Sequence, residues 1–268
     1  MPFASVNGVA LYHEVTGAGA PLVLVHGFAC GIRSWDHQVR AFSRSRRVVT
    51  YDVRGHGISD APAEAASYSQ AISVDDLHAL LTHLGIRRAA VGGLSMGGNI
   101  ALNFALAHPD MVTRLIVADT GAGSDDTADW IGTVHALAET LDRRGMEAFT
   151  DMASANPLFA RYIAQGPAAA RFIRACLMTH RAHGLAHTAR EVLAKRPTIY
   201  ALESRLRQLP VPTLLLVGEH DEPCVKVHRF MADCIRGSKL VVLPGLGHLT
   251  NLEAPAAWNA AVRRFLAG

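Results

Sequence analysis

Short apolar runs rich in β-branched residues alternate along this chain with longer amphipathic stretches. A strand that is apolar on both faces needs cover on both faces, so this rhythm points to an α/β protein: a mostly parallel sheet flanked by helices. The runs read as strands at Ala10–Glu14, Leu22–Val25, Arg47–Tyr51, Ala89–Leu94, Arg114–Asp119, Thr213–Gly218 and Leu240–Leu243. Helical spacing falls near Ser34–Ser43, Ile72–Leu84, Met96–His108, Cys224–Cys234 and Pro255–Ala267. The rhythm breaks once. From Thr120 to Leu209 no strand is legible, and a structureless loop of that length is foreign to a compact domain. We therefore expect a helical cap, 120–209, inserted into a core made of 1–119 and 210–268.

Composition narrows the function classes. The 268 residues are 50% hydrophobic and 18% charged, far from the profile of a disordered chain. With 26 basic against 23 acidic residues the net charge is +3, short of the clustered excess a nucleic-acid binder needs. Cys30, Cys176, Cys224 and Cys234 form no C-x-x-C, which argues against a zinc ribbon or a disulfide scaffold. The start, MPFASVNG, lacks a basic region followed by an apolar one, so no secretory signal is read there. The uncharged runs Val15–Ile32 and Ala89–Ala107 are broken by glycines and read as strand ends, not membrane spans. A cytoplasmic protein without nucleic-acid or membrane partners is expected, and a homo-oligomer is left open. Neither a dinucleotide fingerprint nor a P-loop occurs, and no cofactor or metal is expected.

The chemistry concentrates at strand ends. Gly93-Leu94-Ser95-Met96-Gly97 is G-x-S-x-G placed directly after a strand and before a helix. Such a sharp turn needs small flanks and leaves the serine hydroxyl exposed above a helix N-terminus. A serine hydroxyl is a weak nucleophile, so a base must take its proton and an acid must orient that base. His248 follows the strand ending at Leu243 through a glycine-rich approach, and Asp221 stands three residues beyond Gly218. Both therefore lie at the carboxyl ends of strands, where open α/β sheets place their sites. Asp119 is the rival acid, with Glu219 and Glu222 as further neighbours. The backbone amides of Phe28, past His26-Gly27, and of Met96, after the serine, would hold a developing oxyanion.

Other groups receive plainer readings. Asp52 and Arg54 in Asp52-Val53-Arg54-Gly55-His56-Gly57 are expected to brace adjacent loops through a charge-assisted pair, and His26 to tie loops together. His180, His183 and His187 could share a helix face, but Gly184 and the lack of an acid favour a polar surface over a zinc site. Cys30 reads as a small apolar filler. Trp130, Phe149, Leu158, Phe159, Phe172, Leu177 and Met178 offer apolar wall material in the cap. Phe28, Trp130 and Leu249 are the candidate substrate contacts.

Taken in order, His26-Gly27, Asp52-x-Arg54-Gly55-His56-Gly57-x-Ser59, Gly93-x-Ser95-x-Gly97-Gly98, Asp221 and His248 resemble the α/β-hydrolase superfamily over nearly the whole chain except the cap. Within it, Gly93–Gly98, Trp35 and Gly247–Pro255 look like the branch of 3-oxoadipate enol-lactonases and small bacterial carboxylesterases. The resemblance implies an eight-stranded sheet, a Ser-acid-His order that assigns Ser95, Asp221 and His248, and cofactor-free hydrolysis of a small-molecule ester or lactone. Ser95 departs from the Asp nucleophile of dehalogenases and epoxide hydrolases. Metal-free haloperoxidase or perhydrolase chemistry, C–C bond hydrolysis on the same triad, and a hydrolase-fold receptor with little turnover stay open as alternatives.

Overall fold

A computed structural model describes residues 2–121 and 127–268, so 122–126 of the expected cap lie outside the described residues. The strands are β1 (Phe3–Val6), β2 (Val9–Thr16), β3 (Ala20–Val25), β4 (Arg46–Tyr51), β5 (Ala89–Leu94), β6 (Val112–Ala118), β7 (Thr213–Gly218) and β8 (Lys239–Leu243). They form one eight-stranded sheet in the order β1-β2-β4-β3-β5-β6-β7-β8. β2 runs antiparallel to both β1 and β4, and every other pair is parallel. All residues of β5 and β7 are buried, as central strands covered on both faces must be. β8 closes one edge and opens on Lys239, a charge that discourages further pairing. β1, absent from the sequence reading, closes the other. It is four residues long, buries only Ala4 fully, and pairs with β2 alone.

The strand order fixes where a site can form. β3 lies between β4 and β5, so the chain leaves β3 to one side and later returns to its other side. The crevice between two such strands is where doubly wound sheets bind ligands. In the β3–β5 register Val25 stands beside Gly93, so the residues following each strand emerge as neighbours.

Helices cover the sheet: α1 (Asp36–Phe42), α2 (Gln70–His83), α3 (Met96–Ala107), α4 (Thr127–Ser154), α5 (Pro157–Ile163), α6 (Pro167–Leu177), α7 (Ala182–His187), α8 (Glu203–Arg207), α9 (Glu222–Cys234), α10 (Thr250–Glu253) and α11 (Pro255–Ala267). Ser69 caps α2 by accepting the Ile72 amide at 3.0 Å, which satisfies one of the free donors of the first turn. Trp35 and Trp258, both fully buried, pack at 5.5 Å between ring centres and pin α11 beside α1. Among the described residues no strand occurs between β6 and β7, and no helix is long and apolar enough to cross a membrane. α4 bends at Gly145, whose φ of 73° an L side chain adopts only under strain.

Two structural readings need adjustment. Asp52 and Arg54 do not pair with one another. Asp52 accepts the amides of Ile32 and Ile58, whereas Arg54 forms a two-pronged pair with Asp76 of α2 at 2.7 and 2.8 Å. Bracing is achieved, with a partner from a distant helix. The three histidines likewise act singly. His180 Nδ1 accepts the Gly57 amide at 2.8 Å, and His183 and His187 Nε2 donate to the Ala61 and Ala63 carbonyls at 2.9 Å. They form a seam that ties the helical insertion to the loop after β4.

Candidate active site

Ser95 sits between β5 and α3 at φ 57°, ψ −117°, a conformation that costs a residue with a Cβ on the order of 1–3 kcal/mol. The surrounding structure enforces it. The Ser95 amide donates to the Ala118 carbonyl at 2.9 Å, and its own carbonyl accepts the Asn99 amide at 3.1 Å. The flanking glycines are sterically required, since a Cβ on Gly93 would strike the Gly97 carbonyl and one on Gly97 the Val25 carbonyl. Met96 opens α3, so its amide has no intrahelical acceptor and lies at the positive end of the helix dipole.

Beside it, the chain leaving β3 turns sharply. The Cys30 amide donates to the Gly27 carbonyl at 3.1 Å, closing a turn with Phe28 at its corner and Ala29 at φ 54°. His26 holds this turn as expected. Its Nδ1 donates to the Gly27 carbonyl at 2.8 Å, and Nε2 accepts the Val53 amide at 3.0 Å, joining the loops after β3 and β4. Burial draws its pKa down to about 4, so it is neutral and fixed in that tautomer near pH 7.

The late strands bring the other two groups together. Gly218 at the end of β7 is in register with Leu243 at the end of β8. The loops beyond are laced by Glu219 N to Leu243 O at 3.0 Å and His220 N to Leu246 O at 2.8 Å. Asp221 Oδ2 lies 2.7 Å from His248 Nδ1, and both residues are buried. Burial opposes the charge on Asp221, but the His248 charge and hydrogen bond outweigh it and hold the carboxyl below its usual range. For His248 burial again opposes, and Asp221 wins, raising the imidazole above its ordinary value. Because Nδ1 is committed to Asp221, Nε2 is the ring nitrogen left for chemistry.

Asp119, the rival acid, is occupied elsewhere. Its carboxylate accepts the Gly218 amide at 2.9 Å and the Thr250 hydroxyl, linking the ends of β6 and β7 to α10. Burial pushes its pKa well up. Glu219 accepts the Gly245 amide at 2.8 Å, and Glu222 is exposed in the first turn of α9. Two supporting residues escaped the sequence reading. Glu253 accepts the amides of Gly247 and Leu249, clasping the backbone on both sides of His248. Cys224 lies 3.9 Å from His248 Nδ1 and beside Asp221, and its thiol is pushed far up by burial and by that carboxylate. Asp221, Cys224 and His248 are close enough to ligate a metal, yet the imidazole–carboxylate bond consumes the two best donors and the thiol stays protonated.

Ser95, Met96, Phe28, His248 and Leu249 all line one cavity of about 110 Å³. The helical insertion supplies the facing wall through Trp130, Leu137, Phe149, Leu158 and Phe159. Phe28 meets Phe149 edge-on at 6.3 Å, and the Trp130 indole donates to the Leu193 carbonyl at 3.4 Å. Phe172, Leu177 and Met178, offered by the sequence as wall material, lie elsewhere. Phe172 borders a separate cleft of about 380 Å³ beside α6 that contains neither Ser95 nor His248. Leu177 belongs to the core, and Met178 is 41% exposed. Cys30 is buried, with a thiol pushed up to about 12 by burial, which fits a filler.

A Bacillus subtilis protein named provisionally as a 2-succinyl-6-hydroxy-2,4-cyclohexadiene-1-carboxylate synthase is 28% identical, over 96% of this chain and 94% of its own. The 3-oxoadipate enol-lactonase 2 of Acinetobacter baylyi is also 28% identical, over 96% of this chain and 93% of its own. The crystal structure of an enol-lactonase from Burkholderia xenovorans superposes with a TM-score of 0.88 at 28% identity, covering both chains fully. A family profile described as alpha/beta hydrolase fold matches residues 20–255, and the chain belongs to that family.

Proposed function

We propose that this protein is a serine hydrolase that cleaves a small carboxylic ester or lactone through an acyl-enzyme. One observation carries the reading: Ser95 and His248 line the same cavity while His248 Nδ1 is locked onto Asp221. His248 Nε2 takes the hydroxyl proton as Ser95 Oγ attacks the carbonyl carbon, and Asp221 stabilises the imidazolium that forms. The Phe28 and Met96 amides, on neighbouring strand ends, receive the oxyanion, an effect worth roughly 3–4 kcal/mol for a well-placed donor. The C–O bond then breaks, and His248 returns its proton to the leaving oxygen. Water, deprotonated by the same nitrogen, hydrolyses the acyl-enzyme and restores Ser95. The helical insertion acts as a cap that sets which acyl group fits, and Phe28, Trp130 and Leu249 contact the substrate.

The enol-lactonase relatives support hydrolysis, whereas the Bacillus subtilis relative carries a synthase name. Turnover therefore has to be measured rather than inherited. The test is hydrolysis of p-nitrophenyl esters from acetate to palmitate, together with a small lactone, beside Ser95→Ala. A small cavity predicts fastest turnover of short acyl chains and its loss in the variant. Equal rates in both proteins would remove Ser95 from the mechanism, and a phosphonate label without ester turnover would favour a receptor or another bond type.

A further inference from the structure

The cavity wall opposite the sheet is apolar apart from Thr133, Asn156 and one charged residue of the insertion, Arg196. Arg196 follows the π-helical turn Thr188–Leu193, and its amide donates to the Val192 carbonyl. Its Nη1 is sealed from solvent and has no hydrogen-bond partner among the described residues. Arg196 as a whole is half-buried, and a sealed guanidinium N–H without an acceptor costs free energy that an anion in the cavity would recover.

The groups around it do not supply that anion. Among the described residues no acidic side chain lines the cavity. Asp221 is bonded to His248, and Asp119 to Gly218 and Thr250. Cys224, the group whose field reaches Arg196, keeps its proton because burial raises the thiol far above neutrality. Burial brings the guanidinium down to about 10, which leaves it charged near pH 7. Among the described residues none that lines the cavity is acidic, so the Arg196 guanidinium meets no carboxylate across the space where an acyl group or alcohol would lie.

We propose that Arg196 selects substrates that carry a free carboxylate in addition to the ester or lactone bond that is cleaved. This rests on the serine-hydrolase reading and narrows its substrate class. The guanidinium fork suits a planar carboxylate, and the apolar wall around it excludes the water that would otherwise weaken the pair.

The test compares p-nitrophenyl hydrogen adipate with its neutral methyl ester, and calorimetric binding of adipamic acid with that of adipamide. Wild type should favour the acid in both comparisons by about 10- to 100-fold, the range of a buried charge-assisted hydrogen bond. Arg196→Met should bring both ratios close to one, and Arg196→Lys, which keeps charge but not the fork, should retain part of the preference. No acid preference in wild type, or one that survives in folded R196M, overturns the assignment. The wild-type ratios need no variant, so a misfolded R196M leaves the test standing. If neither ester is turned over, the hydrolase reading fails while the binding ratio still decides the role of Arg196.

Discussion

Lowering the pH from 8 to 5 should remove much of this protein's stability, and the structure says how much. His26, His180 and His228 are 0%, 6% and 0% exposed, and burial draws each down to about 4. Unfolded, each returns to about 6.5. A histidine depressed in the fold contributes stability above its unfolded pKa and loses it as pH falls toward the folded value. At pH 5 the loss is about 2 kcal/mol per residue relative to pH 8, hence roughly 6 kcal/mol for the three. That is comparable with the whole stability of a typical domain, about 5–15 kcal/mol. His56, buried and drawn well below its ordinary value, adds a loss of the same sign, whereas Asp119, whose raised pKa favours the fold in acid, works in the opposite sense. The assay is urea unfolding at half-unit steps of pH. The slope near pH 5.2 should reach about 3–4 kcal/mol per unit, close to three protons taken up on unfolding. His180→Gln tests one site, since a glutamine amide oxygen can still accept the Gly57 amide but cannot be protonated in this range. Its slope should be lower by about one proton. A flat wild-type profile, or an unchanged slope in H180Q, would refute the argument.

Two further outcomes are expected. Asp221→Asn leaves burial as the main influence on His248, so the acid limb of the kcat/KM profile should move to lower pH while the rate falls; an unmoved limb would separate Asp221 from His248 in function. Asp76→Asn strands the buried Arg54 and should cost about 3–5 kcal/mol in urea unfolding. The double change Arg54→Met with Asp76→Leu should recover most of that loss, and equal costs for single and double variants would deny the pair its role.

The sequence disclosed those parts of the molecule that local patterning encodes. β5, β7 and α11 lie at their expected limits because uniform apolar runs and a Pro255 start mark them. The same holds for the strand-end positions of Ser95, Asp221 and His248, which need only a strand and a count of residues. β1 was illegible because four residues with one fully buried side chain carry no periodic signal. Asp76 was invisible as the partner of Arg54, since that contact joins positions 22 apart through the packing of α2. Arg196 and Cys224 were missed for the same reason: a lone Arg or Cys in an amphipathic stretch has no local mark of the cavity or carboxylate it will meet. Glu253 left a trace, a carboxylate close after His248 in Gly247–Pro255, that geometry alone could turn into a clasp on two amides.

The register of Val25 with Gly93 has a consequence for how this chain can drift. The separation between the turn at Phe28 and the start of α3 is inherited from the spacing of adjacent strands, about 4.8 Å, which is common to all sheets. It is a backbone length, indifferent to which side chains decorate the two turns so long as the glycines that permit the close approach are kept. Most of the alphabet at these positions can therefore be exchanged without moving the amides. A chain only 28% identical to the Burkholderia enol-lactonase can hold the same frame to a TM-score of 0.88, and lineages can rewrite the wall above it while the ruler beneath stays the same length.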